Sequence, residues 1–321
     1  MDEFDIIARY FAPLATMPGA FSLKDDAAAI PAWPGFDLIV TTDQIAEGTD
    51  FFKHDPPASI AKKALRVNLS DLAAKGAKPC CYLLAIALPQ GVTQEWLADF
   101  AAGLADDQAR YDVSLLGGDT SATEGPLAVT ATAFGHIPQG RMLKRGGAKP
   151  GDAVYVTGTI GDSGGGLALL KHEKDALAQA QCDYLIARYR IPEPPVDLGP
   201  LLLGLASASV DVSDGLIGDL GHVADASRIK IEIDAAAIPR SAALKAFWGE
   251  GPDALIRAAS AGDDYQIAFT ADPLQDGKIQ AAAAQAGVTV TRIGMVGAGK
   301  GVVLGYRGSV LAIPKPGYRH F

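Results

Sequence analysis

The feature that most constrains the fold is a polar, basic and glycine-rich segment, residues 139–152, between two stretches of mixed strands and helices. On both sides of it, short apolar runs rich in β-branched residues alternate with longer amphipathic runs, which predicts an α/β or α+β chain. A glycine-rich polar segment is typical of a boundary between packed regions, and 321 residues suffice for two medium domains. We therefore predict an N-terminal domain at residues 1–138 and a C-terminal domain at residues 139–321.

The hydrophobic patterns place the expected elements along the chain. In the N-terminal half they predict strands at residues 37–42, 80–88, 113–116 and 127–137, with helices at residues 55–76 and 93–110. In the C-terminal half they predict strands at residues 153–157, 209–212 and 265–269, with helices from residue 164 and over residues 216–226.

The charge of the chain limits its partners. Lysine and arginine number 28 and aspartate and glutamate 37, so the formal net charge is −9. Neither nucleic acid nor an anionic membrane is expected to bind such an acidic chain.

The sequence also predicts where the protein is located. The start lacks the basic region of a signal peptide, and the longest apolar stretch, residues 80–88, is far shorter than a membrane span of about 20 residues. With three cysteines in no metal-ligand spacing, we expect a reduced, cytoplasmic protein.

Aspartates recur near the ends of the predicted strands, beside threonine, serine and glycine. They are Asp25, Asp26, Asp43, Asp119, Asp211, Asp214, Asp263 and Asp264. Each one alone is explained by the frequency of aspartate in turns and helix caps. As a set they supply the hard oxygen ligands that Mg²⁺ shares with phosphates. Bound Mg²⁺ would also let an acidic chain accept a phosphate substrate that its net charge otherwise repels.

Asp71 lies where a carboxylate is unexpected. On the predicted helix it follows Ile60, Ala64 and Val67 at the spacing that places all four side chains on one face. A buried carboxylate is unfavourable unless a cation or several hydrogen-bond donors surround it. We therefore count Asp71 among the candidate metal ligands, with capping of a new helical turn as the alternative.

A glycine-rich turn at residues 158–166 allows two interpretations. Its backbone N–H groups suit either an anion such as phosphate or close packing alone. It also contains Gly161-x-Ser163-x-Gly165, the nucleophile-elbow pattern of α/β-hydrolases, so a serine hydrolase is an alternative function. The base would come from His172, His222 or His320. This alternative is disfavoured because Ser163 lies well past the strand end and the carboxylates would have no role.

The basic residues of the boundary segment form a candidate phosphate clamp, because arginine offers a bidentate fork. They are Arg141, Lys144, Arg145 and Lys149. A solvated linker is the alternative explanation of this cluster. A non-catalytic nucleotide-binding module is a third possible function for the whole chain.

Short motifs along nearly the whole chain resemble, in the same order, those of a known family. They are residues 25–28, 41–43 with 47–48, 68–74, 117–120, 146–152, 156–163, 211–216 and 262–265, and the tail Gly317-Tyr318-x-His320-Phe321. The sequence thereby resembles the thiamine-monophosphate kinases, whose superfamily also holds aminoimidazole ribonucleotide synthetase, selenophosphate synthetase and a hydrogenase maturation protein. The tail and the 211–215 motif favour the kinase, and the ribonucleotide synthetase is the alternative within the superfamily.

The resemblance implies a fold, an activity and a set of site residues. The fold is two α/β domains, with N-terminal mixed sheets that form a barrel-like homodimer. The activity is ATP-dependent phosphorylation of thiamine monophosphate to thiamine diphosphate with several Mg²⁺ ions. The implied metal ligands are Asp25, Asp26, Thr41, Thr42, Asp43, Asp71, Asp119, Asp211 and Asp214. The implied ATP contacts are Gly118, Asp119, Arg145, Ser213 and Tyr111, and the implied substrate contacts are Asp263 and Tyr318.

One position departs from the family pattern. The segment Glu47-Gly48-Thr49-Asp50-Phe51 has aspartate where the family usually has a histidine that touches the substrate. An ionised Asp50 cannot donate a hydrogen bond as imidazole does. We expect it either to face the cationic thiazolium of the substrate or to be replaced in that role by a neighbouring residue.

The chemistry of the acceptor predicts the mechanism. A phosphate oxygen is already ionised at neutral pH, so the transfer requires no general base. The expected catalytic groups are Asp43, Asp71 and Asp119, which would hold the metal, and Arg145, which would stabilise the transferring group. We therefore predict direct in-line transfer without a phosphoenzyme.

Overall fold

The structure, a computed structural model, describes residues 3–173, 176–315 and 317–318. His320 and Phe321 of the tail motif lie outside the described residues. The chain divides into an N-terminal unit, Met1–Leu72 with Ala77–Gly140, and a C-terminal unit, Ala73–Gly76 with Arg141–Phe321. Across the described residues, no helix combines the length and the apolar character that crossing a bilayer requires.

The N-terminal unit is built on an open, mixed sheet of four strands. The strands are β1 (Phe36–Ala46), β2 (Lys78–Pro89), β3 (Ser114–Thr123) and β4 (Ala128–Pro138), in the order β1-β4-β2-β3. Only the β2–β3 pair is parallel. The helices of the unit are α1 (Glu3–Ile6), α2 (Pro57–Ala74) and α3 (Gln94–Tyr111). Thr93 caps α3 as its sequence suggests, because its side chain accepts a hydrogen bond from the Trp96 N–H group.

Two strands of this sheet are longer than their sequence indicates. The patterns end the first strand at Thr42 and the third at Leu116, but β1 pairs with β4 as far as Ala46 and β3 pairs with β2 as far as Thr123. Asp43 and Asp119 therefore lie inside strands rather than at their ends, which corrects the prediction. The reason is that ladder hydrogen bonds to a remote neighbouring strand outweigh the weak strand propensity of aspartate and glycine.

The C-terminal unit is a seven-stranded mixed sheet covered by helices. The strands are β5 (Ala153–Thr157), β6 (Ala206–Val212), β7 (Lys230–Asp234), β8 (Gln266–Ala271), β9 (Val290–Gly297), β10 (Gly301–Tyr306) and β11 (Ser309–Val310), in the order β11-β10-β7-β9-β5-β8-β6. The helices are α4 (Asp162–Leu170), α5 (Gln179–Arg190), α6 (Leu216–Ser227), α7 (Ala242–Trp248), α8 (Pro252–Ser260) and α9 (Asp276–Gln285).

The core of this unit fixes one end of two neighbouring strands. Leu216, Leu220 and Val223 of α6 are fully buried among the side chains of the sheet. Strands β6 and β8 are antiparallel and pair Val212 with Gln266, so the end of β6 lies beside the start of β8. The turn after β6 and the loop before β8 are therefore neighbours, and both carry predicted site residues.

Candidate active site

The N-terminal unit brings together three residues predicted as metal ligands. Thr41 and Asp43, two positions apart on β1, share one face of the sheet, and Asp71 of α2 faces them. The Thr41 hydroxyl donates to the Asp71 carboxylate at 2.5 Å. Burial, followed by the charge and hydrogen bond of Asp71, raises the pKa of Asp43 to about 6. The side chain of Thr42 instead contacts Ala131 and Thr132 of β4, on the opposite face.

Asp50 lies close to Asp43 and Asp71, and hydrogen bonds within its own loop and from Lys63 hold it there. Its carboxylate accepts a hydrogen bond from the Ala46 N–H group at 2.8 Å, and its carbonyl oxygen accepts one from the buried Lys63 amine at 2.7 Å. Its negative charge is a further cause of the raised pKa of Asp43. Asp50 thus closes the turn after β1 and adds negative potential beside Asp43 and Asp71.

A cleft of about 760 Å³ in the same unit gathers other predicted residues. Its polar side includes Asp25, Asp26, Gly118 and Asp119, and its apolar side includes Phe11, Leu23, Ile30 and Phe134. A Cβ atom on Gly118 would lie 1.7 Å from the Leu84 carbonyl oxygen, so only glycine fits there. The glycine at position 118 is therefore required by strand packing, whereas the apolar wall and the carboxylates of the cleft are the features that suit a ligand with an apolar and a polar part.

Tyr111, a predicted ATP contact, lies at the end of α3. Its ring packs under the guanidinium groups of Arg66 and Arg110, at 5.5 and 5.1 Å from the ring centre. Arg66 also forms a buried, bidentate ion pair with Asp107, with both N–O distances at 2.7 Å. The Tyr111 ring therefore packs against two cations, of which Arg66 is anchored by its buried ion pair with Asp107.

The C-terminal unit gathers most of its predicted site residues around one turn. The Ser213 carbonyl oxygen accepts a hydrogen bond from the Asp263 N–H group at 2.7 Å. The Asp214 carbonyl oxygen accepts one from the Tyr318 N–H group at 2.8 Å. The predicted ATP contact Ser213, the predicted metal ligand Asp214 and the predicted substrate contacts Asp263 and Tyr318 are therefore joined through their backbones.

Asp219, in the first turn of α6, was not predicted. One of its carboxylate oxygens accepts hydrogen bonds from the N–H groups of Ser213, Asp214 and Gly215, each at 3.1 Å. Burial, followed by the charges of Asp211 and Asp214, raises the pKa of Asp219 to about 8, against the lowering effect of the N–H groups. An acid four residues after a glycine that opens a helix was the available signal.

The glycine-rich turn after β5 proves to be a packed structural turn. Ser163 is 1% exposed, and its hydroxyl donates to the Gly262 carbonyl oxygen at 2.7 Å and to the Asp264 carboxylate at 3.0 Å. The same carboxylate accepts from the Gly161 N–H group at 2.6 Å and the Ser163 N–H group at 3.3 Å. Burial is the main cause that raises the pKa of Asp264 to about 7. Asp264 thus occupies the position of an anion at the start of α4, and Ser163 is not placed as a nucleophile.

Arg145 lies in an exposed stretch of the C-terminal unit. Its carbonyl oxygen accepts a hydrogen bond from the Ser227 hydroxyl at 3.3 Å, and the same hydroxyl accepts from the Gly147 and Ala148 N–H groups. Ser227, at the end of α6, therefore fixes the backbone that carries the predicted phosphate clamp. The side chains of Arg141, Lys144, Arg145 and Lys149 are all exposed.

Residues of both units include hard oxygen donors but no complete protein cage for a metal. Within residues 3–173, 176–315 and 317–318, no three side chains of histidine, cysteine, aspartate or glutamate converge on one point. The Asp43–Asp71 pair with the Thr41 hydroxyl is an incomplete set of oxygen donors. Mg²⁺ commonly uses one or two carboxylates and completes its coordination with water and phosphate. The donors therefore fit Mg²⁺ shared with a substrate.

Comparison with known families defines the class of this chain. The family described as AIR synthase related protein, N-terminal domain, matches residues 24–137. Its counterpart, AIR synthase related protein, C-terminal domain, matches residues 149–307. Together the two matches cover most of the sequence, so the chain is an AIR synthase-related protein.

Individual relatives show to which family within the AIR synthase-related proteins the chain belongs. The thiamine-monophosphate kinase of Caulobacter vibrioides is 43% identical over 99% of this chain and 90% of its own. The crystal structure of the thiamine-monophosphate kinase from Stenotrophomonas maltophilia has a TM-score of 0.82 and 37% identity, over 90% of this chain and 91% of that one. The structure of AaThiL complexed with AMPPCP and TMP has a TM-score of 0.79 and 31% identity, over 92% and 91% of the two chains. This chain belongs to the thiamine-monophosphate kinase family.

Proposed function

We propose that this protein transfers the γ-phosphoryl group of ATP to thiamine monophosphate and forms thiamine diphosphate. The observation that carries the proposal is the 43% identity with a thiamine-monophosphate kinase across nearly the whole of both chains. The complex of AaThiL with AMPPCP and TMP supports the pair of substrates, because that protein matches over 92% of this chain.

The proposal includes a requirement for Mg²⁺, supported by the Asp43–Asp71 pair. Two half-buried carboxylates held together repel each other unless a cation neutralises them, and this repulsion is, after burial, the next cause of the raised pKa of Asp43. When bound, Mg²⁺ would supply positive charge to the phosphates of the substrates. The remaining proposed ligands are Asp25, Asp26, Thr41, Thr42 and Asp119 in the N-terminal unit and Asp211 and Asp214 in the C-terminal unit.

The roles of the other residues follow from their positions. We assign nucleotide binding to the cleft with Gly118 and Asp119, and further ATP contacts to Tyr111, Arg145 and Ser213. The exposed guanidinium of Arg145 can bind the transferring group by two parallel hydrogen bonds. We assign thiamine monophosphate to Asp50, Asp263 and Tyr318. The negative charge of Asp50 would attract the cationic thiazolium ring. The hydrogen bond from the Ala46 N–H group fixes the Asp50 carboxylate in its loop.

The transfer is proposed to be direct. The acceptor phosphate is ionised at neutral pH, so the residues bind and orient it and remove no proton. Ser163, the serine of the nucleophile pattern, is buried and bonded to a carbonyl and a carboxylate. A covalent phosphoenzyme formed and consumed at the rate of turnover would contradict direct transfer.

The proposed working form is a cytoplasmic homodimer in which the N-terminal sheets of two copies form a barrel-like structure. The support is the edge strand β1, where Phe36, Leu38 and Val40 are 45%, 47% and 59% exposed on one face. An exposed apolar edge strand is a ready surface for pairing with another sheet. Light scattering should give twice the chain mass for the natural protein, and Val40→Lys should reduce it; a monomer at micromolar concentration would contradict the dimer.

The experiment that tests the activity is an assay with ATP and Mg²⁺ and three compounds in parallel: thiamine monophosphate, thiamine, and the ribonucleotide substrate of aminoimidazole ribonucleotide synthetase. Thiamine diphosphate and ADP in equal amounts, formed only from thiamine monophosphate and abolished by EDTA, are expected. Turnover of the ribonucleotide substrate instead would favour the synthetase. ATP binding without turnover of any acceptor would favour a binding module.

A further inference from the structure

We infer that Asp219 is a positioning residue, which holds the turn Ser213–Gly215 in the conformation that presents Asp211, Ser213 and Asp214 to the substrates. The inference deepens the proposed function and rests on it for the roles of those three residues. The observation behind it is the convergence of three successive backbone N–H groups on one Asp219 carboxylate oxygen.

Such a convergence is a ready-made anion site. Successive N–H groups directed at one point form a concave nest that attracts an anion, and a helix start strengthens it. Here the anion is the side chain of Asp219, which is 2% exposed and is itself fixed because its N–H group donates to the Gly215 carbonyl oxygen at 3.0 Å. The N–H groups of Ser213 and Asp214 are therefore not available to ATP phosphates, so Ser213 would contact ATP through its side chain.

The carbonyl side of the same turn is held by the two segments that carry the substrate residues. The carbonyl oxygens of Val212, Ser213 and Asp214 accept hydrogen bonds from the N–H groups of Tyr265, Asp263 and Tyr318, at 2.7, 2.7 and 2.8 Å. The turn thus has Asp219 on its donor side and the substrate segments on its acceptor side. A shift of the turn would move the proposed metal and substrate residues together.

Gly215 leaves the turn little freedom to adopt another shape. Its φ is +119°, and a Cβ atom there would lie 2.9 Å from the backbone of Ser260. The turn is therefore packed against the end of α8 as well as bonded to Asp219. In that packed position the three N–H groups have their acceptor in Asp219. Removal of the carboxylate leaves the buried Gly215 N–H group and the part-buried N–H groups of Ser213 and Asp214 without that acceptor.

The experiment compares Asp219→Ala and Asp219→Asn with the natural protein and with Asp225→Ala. Asp225 is an exposed acid on the same helix and serves as the matched control. Asparagine keeps an acceptor oxygen at the same distance along the side chain, whereas alanine removes it. Two quantities are measured: amide hydrogen exchange of residues 213–215, and kcat with its Mg²⁺ dependence, expressed per folded molecule.

For Asp219→Ala we expect amide exchange in the turn to accelerate by about tenfold or more. We expect kcat to fall by about 100-fold, because a misplacement of about 1 Å in a site has effects of that size. Asp219→Asn should keep slow exchange and lose less than about tenfold in kcat. Asp225→Ala should match the natural protein in both measurements.

Several results would overturn the inference. Folded Asp219→Ala with natural kcat would reduce Asp219 to a helix cap, and unchanged amide exchange would remove the hydrogen bonds from the explanation. If Asp219→Ala fails to fold, Asp219→Asn is the deciding variant. Slow exchange of the amides of residues 213–215, combined with a loss of kcat as large as in a metal-ligand variant, would show that the charge of Asp219 matters and its positioning role does not. A further outcome is that the natural protein does not phosphorylate thiamine monophosphate while amide exchange is fast in Asp219→Ala and slow in Asp219→Asn. That result would contradict the proposed function but would support the role of Asp219 in holding the turn.

Discussion

In the N-terminal unit Asp43 lies against Asp71 and near Asp50, whereas in the C-terminal unit Asp219 and Asp264 lie against backbone N–H groups. The influences on the pKa of Asp43 are burial and negative neighbours, and no positive group is among them. Asp264 instead accepts hydrogen bonds from N–H groups and from a hydroxyl. These bonds lower its pKa and so oppose the effect of burial, which raises it. The difference distinguishes carboxylates that we propose to bind a cation from carboxylates that accept hydrogen bonds from the backbone.

Asp71→Asn should have the largest effect on activity. It removes a proposed metal ligand while keeping the size and the acceptor for the Thr41 hydroxyl. We expect kcat to fall by about 1,000-fold, as for loss of a main electrostatic group, with the melting temperature unchanged or raised because two carboxylates no longer repel each other. Kinetics and calorimetry check this, and full turnover at limiting Mg²⁺ would show that Asp71 is not a ligand.

Asp264→Ala should have the largest effect on stability. The substitution leaves the N–H groups of Gly161 and Ser163 without their buried acceptor, while the Ser163 hydroxyl keeps the Gly262 carbonyl as its acceptor. We expect the free energy of unfolding to fall by about 3 kcal/mol, and by less for Asp264→Asn. Denaturant unfolding gives the values. A loss as small as that of an exposed aspartate, such as Asp253→Ala, would contradict a holding role for Asp264.

The pH dependence of stability offers a third way to sharpen the comparison. Because the folded-state pKa of Asp43 is raised to about 6 from an ordinary value of 3.8, the folded state binds the proton more tightly than the unfolded state. Asp43 therefore lowers stability as the pH rises from about 4 through 6, with the full cost above that range.

This contribution is measurable as a difference between proteins. Without Mg²⁺, the natural protein should lose about 2 kcal/mol more than Asp43→Asn between pH 4 and pH 7, by denaturant unfolding in EDTA. Addition of Mg²⁺ should remove most of that difference. Parallel pH profiles of the two proteins in EDTA would mean that Asp43 has an ordinary pKa and little strain from its neighbours.

Ser163→Ala should have the smallest effect. It removes hydrogen bonds to Gly262 and Asp264 from a fully packed site, and we expect a loss of about 1 kcal/mol in the free energy of unfolding. Activity per folded molecule should change less than about twofold, because the side chain is 1% exposed. Near-complete loss of activity in a folded variant would revive the serine nucleophile.

The sequence predicts one kind of acid better than the other. The position of Asp71 on an apolar helix face and the two-residue spacing of Thr41 and Asp43 are periodic signals, and the structure brings these three residues together. Asp219 has no periodic signal. Its position four residues after Gly215 indicates only an acid in a first helical turn, because its partners are N–H groups whose direction depends on the shape of a turn. The extent of β1 beyond Thr42 likewise depends on pairing with β4, which is remote in sequence.

The most direct test of the difference between the two kinds of acid is calorimetric titration of Mg²⁺ into the protein with AMPPCP present. The natural protein, Asp71→Asn and Asp264→Asn are compared after each is shown to be folded. We expect Asp264→Asn to bind Mg²⁺ as the natural protein does, and Asp71→Asn to lose at least one Mg²⁺ site. Equal Mg²⁺ binding by Asp71→Asn and the natural protein would contradict the account.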